Sequence, residues 1–375
     1  MRPLNLTLLL FAFVISSCVP KPALHEIEPE LRITPKEESE PVYSMFLVGD
    51  AGKASKNPLE PSLAVLKDKM AQLETPQNSA VIFVGDNIYP DGLPPKGHPE
   101  RTEAEGYLDA QLSVLREYEG GIIFLAGNHD WQTSGEDGLE WVKDQERYIE
   151  DKLQKNVFHP DAGFAGPVEV KLLAKTDSNP GITAIVYDSQ WWIHPHEKKL
   201  SDGIETVKEE KERLLKDIEA LVEKNKDTHV FIFAHHPLMS AGPHGGQFPW
   251  ITHLAPPVFG SGYVWYRKLF GTSQDISGYK DLVRPLKNIM KKHSKIAYVS
   301  GHEHNLQHFE RETELSDQDF IVSGSASKNS YSEKLKSPDY AYPGEGIGVI
   351  HYYESGVRQL EFWSYEGQLL YRSEF

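Results

Sequence analysis

The sequence has a single cysteine, Cys18, among its 375 residues. One thiol cannot form a disulfide within the chain, so the stability of the fold must come from its core. Basic residues are also scarce, since 39 Lys and Arg stand against 55 Asp and Glu and give a formal net charge of −16. This acidity argues against nucleic-acid binding, which depends on neutralising phosphates. The chain shows no internal repeat, so a repeat architecture is not expected.

The chain also lacks a long apolar run at its beginning. The apolar residues 8–15 follow Arg2 and are well short of the ~20 residues that cross a bilayer, so they indicate a secretion signal. The stretch Ile15-Ser16-Ser17-Cys18 resembles the lipobox of bacterial lipoproteins. We therefore expect a signal peptide over residues 1–17 and a lipidated Cys18. The alternative is an ordinary signal peptide that contains a cysteine.

Residues 18–42 are rich in Pro, Glu and Lys and show no apolar periodicity, so we expect a disordered tether. A single domain is expected over residues 43–375. The expected location is the envelope of a bacterium, at the periplasm or outer membrane, after secretion across the inner membrane. The lipid anchor would be the only membrane contact.

Short apolar runs that alternate with amphipathic stretches predict an α/β fold. The predicted strands are residues 43–48, 80–84, 121–126, 182–187, 230–234, 296–300 and 320–322. The predicted helices are residues 63–73, 104–118, 203–223 and 282–292. Residues 348–353, 359–364 and 369–373 predict an antiparallel meander with turns at Gly356 and Gly367.

Five short polar segments each follow an apolar run. They are Gly49-Asp50-Ala51-Gly52, Gly85-Asp86-Asn87-Ile88-Tyr89, Gly127-Asn128-His129-Asp130, His235-His236-Pro237 and Gly301-His302-Glu303-His304. Each one alone is typical of a turn, a helix cap or a buried polar residue. Together they predict a site at one sheet edge, because open α/β sheets bind ligands beyond the carboxyl ends of their strands.

The donors in these segments are two Asp, one Asn, one Tyr and three His. They suffice for two metal ions if one carboxylate bridges, which aspartate can do through its two oxygens. A phenolate is an anionic donor suited to trivalent iron once the metal lowers its pKa from about 10. Imidazole suits zinc, iron or manganese.

The five segments, with a tyrosine after Gly85-Asp86, resemble the purple acid phosphatases within the calcineurin-like metallophosphoesterases. The stretch Gly301-His302-Glu303-His304-Asn305-Leu306-Gln307 is similar to the small, tartrate-resistant form. The resemblance implies a four-layer α/β/β/α sandwich of two mixed sheets flanked by helices. It implies that Asp50, Tyr89 and His304 hold Fe(III), that Asp86 bridges, and that Asn128, His235 and His302 hold Zn, Fe or Mn(II).

The same resemblance implies that His129 protonates the leaving alcohol and that His244 approaches the phosphate. The expected activity is acid hydrolysis of phosphate monoesters by metal-bound hydroxide. Two alternatives stay open: a metallophosphoesterase for phosphodiesters or nucleotide diphosphates, and a non-catalytic, metal-containing surface lipoprotein. The sequence does not predict the oligomeric state.

Other residues near these motifs admit structural readings. His194 and His196 lie beside two tryptophans and are expected to pack or face solvent, and the spacing to Pro237 favours His235 over His236 as the ligand. The segment 246–266 is rich in aromatic residues, namely Phe248, Trp250, Phe259, Tyr263, Trp265 and Tyr266. It either forms a lid that stacks on a base or aryl group or covers the sheet edge.

Overall fold

Two seven-stranded sheets form the centre of the fold in this computed structural model. The structure describes residues 30–249, 272–310, 318–337 and 339–375, together with Thr252, Gly262, Val264, Trp265 and Arg267. Within these residues the strands are β1 Arg32–Ile33, β2 Tyr43–Val48, β3 Ser79–Phe83, β4 Gly121–Phe124, β5 Val168–Leu173, β6 Ile182–Val186, β7 His229–Phe233, β8 Ile296–Ser300, β9 Leu306–Glu310, β10 Gln318–Ser323, β11 Tyr340–Tyr342, β12 Gly346–Tyr352, β13 Arg358–Ser364 and β14 Leu369–Glu374. The α-helices are α1 Pro61–Ala71, α2 Arg101–Ser113, α3 Gly138–Leu153, α4 Ser189–Ile193, α5 Val207–Lys224 and α6 Lys280–Met290.

Both sheets are mixed. Sheet A has the strand order β1-β14-β13-β12-β2-β3-β4, and sheet B has the order β11-β9-β10-β8-β7-β6-β5. The parallel strands β2, β3 and β4 lie side by side in sheet A, and β6, β7, β8 and β10 do so in sheet B. The meander β12-β13-β14 is antiparallel, as the sequence predicted, and it pairs with β2. The carboxyl ends of the parallel strands are therefore available as a ligand-binding edge.

The pleat of the strands divides the core into layers, because successive side chains point to opposite faces. In β2, Met45 and Leu47 join the apolar cluster that contains Phe233 of β7 and Val299 of β8, so this face of sheet A packs on sheet B. The alternate residue Phe46 joins the apolar cluster that also holds buried residues of the helices. The two sheets with flanking helices confirm the expected α/β/β/α architecture.

The beginning of α5 differs from the sequence prediction, which placed it at Gly203. Gly203 has a φ of +79°, which a helix cannot contain. The helix begins after Thr206, whose hydroxyl accepts from the backbone N–H of Glu209 while the Glu209 carboxylate accepts from the backbone N–H of Thr206. This capping box satisfies two backbone donors at the helix start. Leu214 and Ile218 are buried one turn apart on its inner face.

Several elements were not predicted from the sequence. The helix α3 buries only five of its 16 residues, and β5 is a half-buried edge strand, so the apolar signal of each is weak. The residues of β1 belong to the segment expected to be a tether, yet Arg32 and Ile33 pair in parallel with β14. The Arg32 guanidinium also donates to the carbonyl oxygen of Asp339 at 2.7 Å. The end of the expected tether is therefore part of the folded unit Leu31–Phe375.

The expected signal peptide and the lipidation site Cys18 lie outside the described residues. In the part of the chain that the structure describes, no helix combines the length and apolar character that a membrane span needs.

Candidate metal centre

The polar segments predicted from the sequence follow the carboxyl ends of five parallel strands. Asp50, Asp86 and Asn128 follow β2, β3 and β4 of sheet A. His235 and His302 follow β7 and β8 of sheet B. Both sheets therefore bring donors to the same edge of the sandwich.

Three of these positions have left-handed backbone, which is costly for residues other than glycine. The φ angles are +59° at Asp50, +54° at Asp86 and +67° at His302. Gly85 has a φ of +92°, and a Cβ there would lie 2.6 Å from Nδ1 of His235. The chain is thus strained locally where it turns donor side chains into the site.

The first group of donors, which we call the Tyr89 cluster, consists of Asp50, Asp86, Tyr89 and His304. The Tyr89 hydroxyl lies 2.8 Å from Oδ1 of Asp50, 3.2 Å from Oδ2 of Asp86 and 3.2 Å from Nε2 of His304. The His304 Nε2 atom lies 3.3 Å from Oδ1 of Asp50. One atom of each side chain therefore points into the same small space.

The second group, the Asn128 cluster, consists of Asp86, Asn128, His235 and His302. The His235 Nε2 atom lies 3.3 Å from Oδ1 of Asp86 and 3.1 Å from Oδ1 of Asn128. The His302 Nδ1 atom lies 3.0 Å from Oδ1 of Asn128 and 3.2 Å from Nε2 of His235. Asp86 belongs to both clusters, because its Oδ2 atom faces the Tyr89 cluster while its Oδ1 atom faces this one.

The hydrogen bonds on the far sides of the two imidazoles fix which nitrogen faces the site. His235 donates its Nδ1–H to the carbonyl oxygen of Val84 at 2.9 Å, and His302 donates its Nε2–H to that of Gln274 at 3.0 Å. Each ring therefore directs its other nitrogen inward, where a metal ion can accept the lone pair. The donor set of carboxylate, amide, phenol and imidazole groups fits a pair of metal cations.

The electrostatics of the site favour positive charge between these groups. Burial alone would lower the pKa of His235, but the neighbouring Asp86 carboxylate overcomes this effect and raises it to about 9. Burial, together with the charges of Asp50 and Asp86, raises the pKa of the Tyr89 hydroxyl well above its ordinary value. A bound cation reverses this logic and favours the phenolate, because it is the largest local charge.

Asp130 supports the site, a role that was not predicted from the sequence. Its carboxylate accepts from the backbone N–H groups of Gly127 at 2.8 Å, Asn87 at 3.0 Å and Ile88 at 3.2 Å. These bonds tie the loop after β3 to the loop after β4, so they fix the distance between Asp86 and Asn128. Burial and the charge of Asp86 raise the pKa of Asp130 to about 7.

His129 lies at the rim of the two clusters, with 21% of its side chain exposed. Its backbone N–H donates to Oδ1 of Asp86 at 3.0 Å, and its Nδ1–H donates to the carbonyl oxygen of Pro90. The Nε2 atom lies 3.8 Å from Oδ2 of Asp86. The ring is thus held by its far nitrogen, with Nε2 on the side of the site.

His244 lies in the chain after β7 of sheet B, and its ring centroid is 4.1 Å from that of His302. Its Nδ1 atom lies 3.1 Å from Oδ1 of Asp275. Sequence reasoning missed Asp275. A buried carboxylate in a segment without a motif gives no signal in the sequence.

The neighbouring histidines have other partners. The ring nitrogens of His236 bond to Oγ of Ser189 at 2.8 Å and Oε1 of Gln274 at 2.6 Å, so His235 and not its neighbour joins the Asn128 cluster. His194 is buried with its ring centroid 4.8 Å from that of Trp131, whereas His196 is exposed.

Part of the aromatic segment lies outside the described residues, namely Trp250, Phe259, Tyr263 and Tyr266. Phe248 is half-buried and packs with its ring centroid 5.5 Å from the Arg267 guanidinium, while 61% of Trp265 is exposed. The lid and the cover for the sheet edge both stay predictions.

Comparison with known proteins agrees with this geometry. The profile of the family described as calcineurin-like phosphoesterase matches residues 46–306. Purple acid phosphatase 7 of Arabidopsis thaliana is 23% identical over 365 residues, which cover 94% of this chain and 91% of the relative. Purple acid phosphatase 17 of the same plant is 22% identical over 303 residues, which cover 78% and 73%.

Among solved structures, the purple acid phosphatase PPD1 from yellow lupin (Lupinus luteus) seeds superposes with a TM-score of 0.52 and 14% identity. The superposition covers 91% of this chain and 55% of the lupin chain, so this chain spans about half of that enzyme. At this identity the likeness shows the fold alone. The family match over most of the chain, together with these relatives, shows that the chain belongs to the calcineurin-like phosphoesterases, as a metallophosphoesterase similar to the purple acid phosphatases.

Proposed function

We propose that the protein is an acid phosphatase that hydrolyses phosphate monoesters at a pair of metal ions joined by Asp86. The observation that carries the proposal is the position of the Asp86 carboxylate, whose two oxygens face two different donor clusters. In the Tyr89 cluster the ligand atoms of Asp50, Asp86 and His304 lie within 4.8 Å of one another, and in the Asn128 cluster those of Asp86, His235 and His302 do so. Membership of the phosphoesterase family supports a phosphate ester as the substrate.

The two clusters differ in the charge they offer. The Tyr89 cluster contains two carboxylates and a phenol, and we assign it to Fe(III), which prefers anionic oxygen. The Asn128 cluster shares one carboxylate and otherwise offers neutral donors, and we assign it to Zn, Fe or Mn(II). When bound, such ions polarise the phosphate ester and lower the pKa of bound water from 15.7 to about 7.

The residues around the clusters supply binding and proton transfer. The Nδ1–H bond from His129 to the Pro90 carbonyl holds the ring so that Nε2 faces the site, where its proton can pass to the leaving alkoxide oxygen. His244, whose ring lies beside that of His302 at a tilt of 41°, would bind a non-bridging phosphate oxygen. The Lys328 ammonium lies 4.3 Å from the centre of the Tyr89 ring and adds positive charge at this edge. These groups favour an anionic ester in a protein that is otherwise strongly acidic.

The experiment measures metal content, the visible spectrum and turnover on the same preparation. The substrates are p-nitrophenyl phosphate, bis(p-nitrophenyl) phosphate, a sugar phosphate and ADP. We expect two metals per chain and a preference for monoesters with an optimum below neutral pH. The variant His129→Ala should keep both metals and lose about 10²- to 10⁴-fold in kcat, as expected for a general acid. Replacing the exposed His196 by alanine is the matched control and should change neither quantity.

Two results would contradict the proposal in different ways. Faster hydrolysis of the diester or of ADP would move the function to the second candidate, a phosphodiesterase or diphosphatase with the same metal ligands. Full metal content without turnover on any ester would favour a non-catalytic surface protein.

Secretion and lipid anchoring through Cys18 complete the proposal, and their support is the lipobox-like sequence. Labelling of the protein with a radioactive or clickable fatty acid, compared with the Cys18→Ala variant, tests this part separately.

A further inference from the structure

Residues 272–279 form a turn that touches three histidines at the site. The backbone carbonyl of Gln274 accepts from Nε2 of His302, and its side-chain oxygen lies 2.6 Å from Nε2 of His236. The Asp275 carboxylate lies 3.1 Å from Nδ1 of His244, and the backbone N–H of Ile276 donates to the carbonyl of His244 at 3.0 Å. The turn therefore holds the backbone and the ring of His244 at the same time.

Asp275 is buried, and both of its carboxylate oxygens accept hydrogen bonds. It accepts from Nε of Arg267 at 2.7 Å, and from the backbone N–H and the hydroxyl of Thr272 at 2.5 and 3.1 Å. Burial alone would raise the pKa of this carboxyl, but the bonds from His244 and Arg267 overcome that effect and hold it below the ordinary value. The carboxylate is thus ionised and acts as an acceptor for the His244 ring.

An ionised carboxylate accepts only, so the His244 nitrogen that faces it must carry the hydrogen. This fixes Nδ1–H on the Asp275 side and directs Nε2 to the other side of the ring. The ring is also held 4.1 Å from His302, a member of the Asn128 cluster. Its rotation and its tautomer are therefore both set by one carboxylate.

We propose that Asp275 is a positioning residue for His244: it fixes the ring so that Nε2 meets the phosphate. The inference rests on the proposed function for its kinetic consequence, although the tautomer itself does not depend on it. Arg267, which pairs with Asp275, directly follows the aromatic segment 246–266. The same carboxylate thus connects that segment to the histidine.

The kinetic test is a double-mutant cycle with Asp275→Asn and His244→Ala. Asparagine has nearly the same shape, but its amide can also donate to Nδ1, so the ring loses its fixed tautomer. We expect Asp275→Asn to lower kcat for a monoester by about 10- to 100-fold, the size of effect that follows misplacement of a reacting group. In the His244→Ala background the same change should cost less than about twofold, because residues that act through one another are not additive.

The matched control is Asp281→Asn, which also removes a carboxylate that accepts from an aromatic ring N–H, that of Trp192 at 3.0 Å. It should leave kcat unchanged. Equal losses from Asp275→Asn in both backgrounds would overturn the proposal, since they would mean that Asp275 acts on the fold and not on His244. A loss of metal in Asp275→Asn would overturn it as well.

The second test reads the tautomer directly by nitrogen-15 NMR of histidine-labelled, zinc-loaded protein. The His244 signals are assigned by their absence in His244→Ala. We expect Nδ1–H in the wild type and a mixture of tautomers in Asp275→Asn, and an unchanged tautomer would overturn the proposal. If the wild type hydrolyses no monoester, the proposed function fails, and this measurement alone decides the role of Asp275.

Discussion

Replacing His229 should make the protein more resistant to acid. His229 begins β7 and lies about 20 Å along the strand from His235, given a rise of ~3.3 Å per residue, so it is remote from both donor clusters. Only 4% of the residue is exposed, and its ring packs at 5.1 Å from that of Tyr352 between the sheets. Among the described residues no hydrogen-bond partner reaches its Nδ1 atom. Burial, with the charges of Arg358 and Lys295, lowers the pKa of His229 to about 3.

The sign and size of the effect follow from this pKa. Between about pH 3 and 6.5 the unfolded chain binds a proton at this histidine and the folded protein does not. Protonation of His229 in the unfolded chain therefore costs the folded protein nothing above pH 6.5, and it lowers the free energy of unfolding progressively as the pH falls toward 3. Each pH unit below the ordinary histidine pKa of 6.5 lowers the free energy of unfolding by ~1.4 kcal/mol, so about 3 kcal/mol is lost by pH 4.

The assay compares urea unfolding of the wild type and of His229→Leu at pH 4, 5, 6 and 7. Leucine has a similar size and cannot be protonated, so the free energy of unfolding of the variant should fall by about 3 kcal/mol less between pH 7 and pH 4. The exposed His196, changed to leucine, is the control and should follow the wild type. Parallel pH curves for the wild type and His229→Leu would refute the reasoning.

Three further predictions concern the metal centre. If Tyr89 binds ferric iron as a phenolate, the oxidised protein should be pink to violet and Tyr89→Phe should bleach it, and a colourless wild type with full iron would contradict this. Asp86→Ala should lose both metals by elemental analysis, because its oxygens serve both clusters, whereas Asn128→Ala should lose mainly the divalent ion. Gly85→Ala should lower the melting temperature and the metal content, since its Cβ would lie 2.6 Å from His235 at a φ of +92°; unchanged values would show that the loop can relax.

The sequence predicted the edge at which the donor side chains meet because its signals are local. A short apolar run followed by Gly-Asp or Gly-Asn marks both the end of a strand and a donor, as at Asp86 and Asn128. The parallel arrangement then brings these ends together. The positions of these side chains thus follow from the pattern alone, although the φ of Asp86 does not.

The residues that support the ligands could not be predicted in this way. Gln274 fixes His302 through its backbone carbonyl, a group that every residue carries, so no residue type marks the position. The role of Asp130 depends on backbone N–H groups of two loops that only the folded sheet brings together. Asp275 reaches His244 across 31 residues of chain, and its segment contains no periodic pattern.

The order of strands in the two sheets also could not be predicted from the sequence. β12 inserts beside β2 through pairing of Val349 with Phe46, although some 300 residues separate them. Such long-range pairing depends on which arrangement of strands buries the most apolar surface in the folded protein. Strand propensity carries no information about it.

Each donor cluster draws side chains from both halves of the sandwich. Asp50, Asp86, Tyr89 and Asn128 are attached to sheet A, whereas His235, His302 and His304 are attached to sheet B. Cations at this edge would therefore cross-link the two sheets much as a disulfide does in many extracellular proteins, in a chain whose single thiol cannot form one. Metal loading and resistance to heat would then rise and fall together, because an ion that binds only the folded state at 100 times its Kd adds about 2.7 kcal/mol.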